Sequence, residues 1–266
     1  MGAELRKPPT PRQAPGRVFR WSLGVALGSL FACEAAPQIN AEVKRQGSTV
    51  LTTESSVTID SYVAVSVRGA PLATQIEYSI SGTLTASTAT IANRLAKELD
   101  VVVKRSEDKR NVTLTLAPPP DTTLLGSIEL TIPAKIELEV GSEHEILVES
   151  MERSATATGY DQVRFVGNSG NVRAVTRNGN VVIDSALLPS TSATAEVGSG
   201  HITLLMPRNV SASIEAAASG GFVVNHPAFP RPLGTNRTSY SAVVNGGHGL
   251  ARLLAQAGTV TLSAKP

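Results

Sequence analysis

The sequence predicts an all-β protein: a single-stranded β-solenoid, or β-helix-like stack of short strands, with one short helix near residues 87–100. Three observations carry this expectation. Apolar residues alternate with period two from about residue 51 onward, which places every second side chain on one face. Polar turns ending in Gly recur, and Gly141, Gly159, Gly179, Gly200 and Gly220 stand 18, 20, 21 and 20 residues apart. Only 4% of the 266 residues are aromatic, as suits a narrow interior filled by Val, Ile, Leu, Ala and Thr.

Strands are expected at VTID (residues 57–60), YVAVSVR (62–68), IEYSI (76–80), VVVK (101–104) and VTLTL (112–116). All are rich in β-branched residues and bounded by turn formers. The last two flank a charged centre, Ser106 to Asn111, and read as a hairpin. Between them and the earlier strands, Ile91, Leu95 and Leu99 recur four residues apart. That spacing predicts one apolar stripe on a helix over 87–100.

The second half repeats itself. ELTIPAKIELEV (129–140) matches ITLLMPRNVSASIEA (202–216) with a small insertion. Each has an apolar run, a Pro, a basic residue and a further strand, so Pro133 and Pro207 are expected at corners, where a missing N–H costs nothing. A second unit is a Gly-containing turn followed by a short strand, and it predicts structural turns at Gly170, Gly179, Gly200, Gly220, Gly247 and Gly258. Stacked coils would set Gly above Gly at sharp corners. Asn225 to Ser239 contains three prolines and stretches the glycine spacing to 27 residues, from Gly220 to Gly247. This segment is expected to project as a loop. Phe222, Phe229 and Tyr240 lie in or beside it, and a cap over an open end is favoured over an exposed contact site.

The N-terminus reads as an address. Five basic residues and one acid precede WSLGVALGSLFA (21–32), an uncharged run of 12 residues. A membrane-spanning helix needs about 20, so the profile is that of a secretory signal. The single cysteine, Cys33, follows at once, which excludes an intramolecular disulfide and a multi-Cys zinc site. Residues 30–33, Leu30-Phe31-Ala32-Cys33, resemble the lipobox of bacterial lipoproteins. That resemblance implies cleavage between Ala32 and Cys33, acylation of Cys33, and a lipid bilayer as partner. An ordinary signal cut near Ala35-Ala36 is the alternative. The expected organisation is a signal peptide over 1–32, a flexible tether over 33–50 and a β-solenoid domain over 51–266.

Loss of the signal changes the charge. The chain has 24 basic and 22 acidic residues; without residues 1–32 it has 19 and 21. The formal charge moves from +2 to −2, and no nucleic-acid partner is expected, since phosphate binding needs a cationic field.

The spaced turns, the strand–Pro–strand units and the signal together resemble a bacterial family of β-solenoid domains known as putative adhesins, over about residues 55–264. Its members are mostly cell-envelope proteins without an assigned activity. The resemblance implies an exported scaffold at the periplasmic face or cell surface, and it transfers no catalytic residue.

Chemistry-bearing patterns are sparse. His201 and His248 each follow Gly in a turn and could share a metal ion if those turns stack, but no Cys or HExxH pair supports them, so no metal or cofactor is expected. Glu137/Glu139 and Glu143/Glu145 fit a solvated strand face better than glycosidase acids. No G-x-S-x-G elbow or phosphate loop occurs. The expected function is an envelope lipoprotein scaffold with an adhesive or structural role and no catalysis, its partner an envelope protein or a polysaccharide. The alternatives are a polysaccharide-active enzyme and an accessory or sensor lipoprotein.

Overall fold

The computed structural model describes residues 38–232 and 238–265. The signal, Ala32 and Cys33 lie outside them. The described residues form twenty strands and one helix in two ten-stranded sheets. No described helix is long and apolar enough to cross a membrane.

The chain begins with β1 (Ile39–Val50), β2 (Ser56–Ser61), β3 (Ala64–Ala70), β4 (Gln75–Ala86), α1 (Ala89–Glu98), β5 (Val102–Arg105), β6 (Asn111–Leu116) and β7 (Thr123–Pro133). The middle contains β8 (Glu137–Ser142), β9 (Ile146–Glu149), β10 (Ala155–Gly159), β11 (Val163–Asn168), β12 (Val172–Thr176), β13 (Val181–Ser185), β14 (Ser192–Ser199) and β15 (Ile202–Met206). The last part is β16 (Ala212–Ala218), β17 (Phe222–Asn225), β18 (Ser239–Val244), β19 (Gly249–Ala257) and β20 (Val260–Ala264).

The first sheet has the order β1-β4-β7-β3-β9-β11-β13-β15-β20-β17. The second has the order β18-β16-β19-β14-β12-β10-β8-β2-β6-β5. From β8 to β15 successive strands alternate between sheets, and within each sheet neighbours are parallel. Leu138, Ala155, Val172 and Ala193 align in the second sheet. Ile146, Val163, Val181 and Ile202 align in the first. Both sheets are mixed, because β1–β4, β4–β7, β5–β6 and β16–β18 pair antiparallel. The β5–β6 pair is the hairpin expected around Ser106–Asn111.

At each end the order departs from the sequence. β2 and β3 lie between β6 and β8 and between β7 and β9. β19 and β20 lie between β14 and β16 and between β15 and β17. The strand pair nearest each end of this alternating path is therefore paired on both sides instead of being left as an edge.

Burial follows the two-residue period, and the inward residues of both sheets form one aliphatic cluster. Phe165 is its largest fully buried side chain, contributing about 2–3 kcal/mol by removal from water. Strand corners satisfy the few buried polar groups. Asn168 accepts from the Met151 N–H (2.8 Å) and donates to the Val148 carbonyl (3.0 Å) beside a register shift in β11. The two predicted proline corners are alike: Ile136 donates to the Pro133 carbonyl (3.3 Å), and Val210 to that of Pro207 (3.1 Å).

The helix is shorter than 87–100. Thr88 caps it by accepting from the Ile91 N–H (3.3 Å), satisfying one of the free amides of the first turn. Ala92 and Ala96 are its most deeply buried residues, with Ile91 and Leu95 half-buried against the same core. Small side chains at the centre let α1 lie close against β1 and β4. Arg45 of β1 donates to the carbonyls of Lys97 and Leu99, where the helix C-terminus is electronegative.

Two expectations are corrected. Residues 39–50, assigned to the tether over 33–50, form β1, paired along its whole length with β4. Its polarity reflects an outer face in water and an inner face that fully buries only Ala41 and Val43. The proline-rich segment does not simply project. His226 and Phe229 are buried, with ring centroids 5.1 Å apart, and Tyr240 is buried and donates to the Pro230 carbonyl (2.9 Å). Phe222 packs on Tyr240 at 5.7 Å. These rings close the end of the core beside the terminal strands β17 and β18. Residues 233–237 lie outside the described residues.

Candidate functional site

A packed aliphatic interior leaves chemistry to the outer faces. An open polar depression of about 770 Å³ lies on the first sheet, lined from β1, β4, β7, β3 and β9. Strands β1, β4 and β7 are long, at 12, 12 and 11 residues, so strand twist has room to accumulate. Gly82 and Gly126 face each other across β4 and β7. A Cβ on either would collide with backbone of the other strand, so the glycines permit a close approach where the sheet curves.

Register fixes which side chains meet. Ser48, Glu77, Thr131, Arg68 and Glu149 run across five strands as one row. Gln46, Ser79, Glu129, Ser66 and Leu147 form the next. Arg68 thus stands directly beside Glu149, with Thr131 on its other side. Glu77 and Glu129 are diagonal neighbours on β4 and β7, a relation that sets the two positions about 7–8 Å apart with their Cβ atoms somewhat closer. Gln75 donates to Glu77 (2.9 Å). Arg68, Glu77 and Glu129 are exposed and Glu149 is half-buried. The depression therefore offers one guanidinium, three carboxylates, two amides and several hydroxyls on a rigid grid, a set suited to hydrogen bonding with a polar, hydroxyl-rich or mixed-charge ligand.

Beneath this face, Tyr78 donates to Asp100 (2.9 Å), and its ring occupies the space above Gly47. Burial, and then the Asp100 carboxylate, push the Tyr78 phenol up to about 12. The floor of the depression is thus braced from within.

The outer face of the second sheet is different. One row reads Thr113, Thr58, Glu139, Thr156, Arg173, Thr194, Arg252 and Glu215. Arg252 and Glu215 form an exposed ion pair (3.0 Å). Glu137, Glu139, Glu143 and Glu145 are all exposed, as expected of a solvated face.

The structure does not bring His201 and His248 together. His201 sits at the corner from β14 to β15, where its Nδ1 is 2.8 Å from the Thr259 hydroxyl. His248 sits in the β18–β19 turn, at the opposite ends of the strands, beside Ser211. Among the described residues no group of three or more His, Cys, Asp or Glu is arranged to hold a metal.

The predicted turn glycines divide by side. Gly179, Gly200, Gly258 and Gly220 form a column at the corner from the second sheet to the first, each against the carbonyl of its neighbour. Gly170 packs against the Arg153 carbonyl at the opposite corner. Gly247 has a φ of +68° in the β18–β19 turn. The depression itself was missed by sequence reading, because its residues come from β1, β3, β4, β7 and β9, whose order in the sheet is not their order in the chain.

No family model matches the sequence, and no curated protein matches it. Among solved structures, a "putative cell adhesion protein" from Clostridium sporogenes is similar over 85% of this chain and 100% of its own, at 10% identity and a TM-score of 0.48. A "putative adhesin" from Bacteroides fragilis is similar over 85% of this chain and 98% of its own, at 8% identity and a TM-score of 0.31.

Proposed function

We propose that the chain is an envelope lipoprotein whose two-sheet body is a β-solenoid-type scaffold that binds a partner on the outer face of its first sheet. The observation that supports this best is the register-fixed polar grid around Arg68, which sets one guanidinium among three carboxylates on neighbouring strands. Cys33 carries the lipid, and residues 34–38 link it to β1. Several acyl chains on one site give durable attachment, and the scaffold presents its face to an envelope protein or polysaccharide. The test is binding of the purified chain to isolated envelope fractions: Arg68→Glu should abolish retention, while Arg173→Glu on the other sheet should leave it unchanged.

One observation favours a second reading, a polysaccharide-active enzyme. Glu77 and Glu129 put two carboxylates on one face of neighbouring strands, the residue types that glycosidases pair. A general acid at neutral pH needs an apolar setting that keeps it protonated, and these two glutamates lie open to solvent. Release of reducing ends from envelope polysaccharide, lost in Glu129→Gln, would establish the second reading over the first.

A further inference from the structure

Each sheet has two edge strands, and three of the four edges are short: β5 and β17 have four residues and β18 has six. Pro227 follows closely on β17. Short edges and prolines are the usual protection against pairing with another chain. β1 is the exception, with twelve residues, no proline, and an unbroken pairing to β4 on its other side. Among the described residues, no backbone group of Ile39–Thr49 bonds to anything but β4; the Val50 carbonyl alone accepts from Arg105 (2.6 Å). Among the described residues, every second residue of β1 therefore presents an N–H and C=O with no partner along one edge.

The outer-face charges of β1 single out an occupant. Glu42 and Lys44 are two residues apart, both exposed, and pair with each other along the strand. In an antiparallel pairing of β1 with itself, same-face residues lie opposite only if their numbers add to an even total. Centring on Glu42 or on Lys44 sets like charges face to face, which is destabilising. Centring on Val43 sets Glu42 against Lys44 of the second copy and Lys44 against Glu42 of the second copy. Ile39 then lies opposite Gly47 of the second copy, so nine residues pair, over about 30 Å. The interface is isologous and closes on itself.

We propose that β1 is the docking edge for a second copy of this chain, joining two first sheets into one continuous twenty-stranded sheet about a two-fold axis at Val43. Strand addition supplies backbone hydrogen bonds, and the reciprocal Glu42–Lys44 pairs fix the register.

Sedimentation velocity of the full chain at about 100 μM tests this with Glu42→Lys, Lys44→Glu and the double swap. The wild type should be dimeric. Each single reversal should weaken the dimer by about tenfold or more, and the double swap should restore it. Both side chains are exposed (69% and 75%), so each variant should keep the wild-type far-ultraviolet circular dichroism and a cooperative unfolding transition, which confirms that it is folded, while its melting temperature follows the dimer. A monomeric wild type, a dimer untouched by either reversal, or a double swap as weak as the singles would each overturn the proposal. Association through residues 1–37 would give the second of these results.

Discussion

Gly258 rests on the backbone of Gly200, and Gly220 donates its N–H to the Gly258 carbonyl (2.7 Å), although Gly220 comes before Gly258 in the chain. The column Gly179–Gly200–Gly258–Gly220 therefore records the insertion of β19 and β20 between two earlier layers. It also explains why glycine is needed. A Cβ on Gly200 or Gly258 would collide with the carbonyl of the glycine below, and Gly200 has a φ of +140°.

Gly258→Ala should cost about 3 kcal/mol, within the range for core overpacking and backbone strain. Gly141 shares the spacing but not the constraint: a Cβ there would meet nothing closer than the Asp60 carboxylate at 3.7 Å. Gly141→Ala should leave stability unchanged or raise it by about 0.5 kcal/mol. Equilibrium urea unfolding of the two variants measures the contrast.

A second consequence concerns pH. The Glu54 side chain is shielded from solvent and pairs with Arg105 (2.8 Å) in the link between β1 and β2. Burial pushes its carboxyl up, but the N–H groups of Thr52, Glu54 and Thr53 with the Arg105 guanidinium outweigh burial and hold it at about 2. An unfolded glutamate titrates near ~4.3. This group therefore stabilises the fold above about pH 4.3, and its contribution disappears as pH falls toward 2. Urea unfolding should show Glu54→Gln less stable than wild type at pH 7, with the difference shrinking at pH 3. A constant difference would contradict the assignment.

The aromatic closure at β17 and β18 should carry measurable stability. Phe229 is 4% exposed, so Phe229→Ala should cost about 3–5 kcal/mol. Tyr240→Phe removes only the bond to Pro230 and should cost about 1 kcal/mol. Thermal unfolding distinguishes the two. Equal, small losses would mean that the rings do not close the core.

Much of this fold was legible locally. The period-two runs at 57–60, 76–80 and 112–116 are in strands, the run at 62–68 enters β3 only from Ala64, with Tyr62 and Val63 in the bend before it, and Pro133 and Pro207 turn the same corner. The turn glycines stack because corners constrain the backbone wherever they lie in the sequence. What escaped was non-local. β1 looked like a tether because an edge strand needs few apolar residues. The interrupted spacing between Gly220 and Gly247 looked like a projecting loop, whereas the chain there closes the end and then returns one layer inward. The depression around Arg68 depends on that same reordering at the other end, where β3 lies between β7 and β9. No pattern along the chain announces which strands become neighbours.

The proposed lipid anchor makes a separate prediction. Cys33→Ala should move the protein from the membrane fraction to the soluble exported fraction when cells are fractionated. Retention in the membrane would remove the lipid from the account and leave the binding face to be judged alone.

Site-specific photo-crosslinking in intact envelopes tests the central claim most directly. A crosslinker at Ser66, inside the depression, is compared with one at Thr156 on the other sheet. A discrete product from Ser66, absent from Thr156 and lost in Arg68→Glu, is the predicted result. No product at Ser66, or equal products at both positions, would contradict a binding role for the first sheet's outer face.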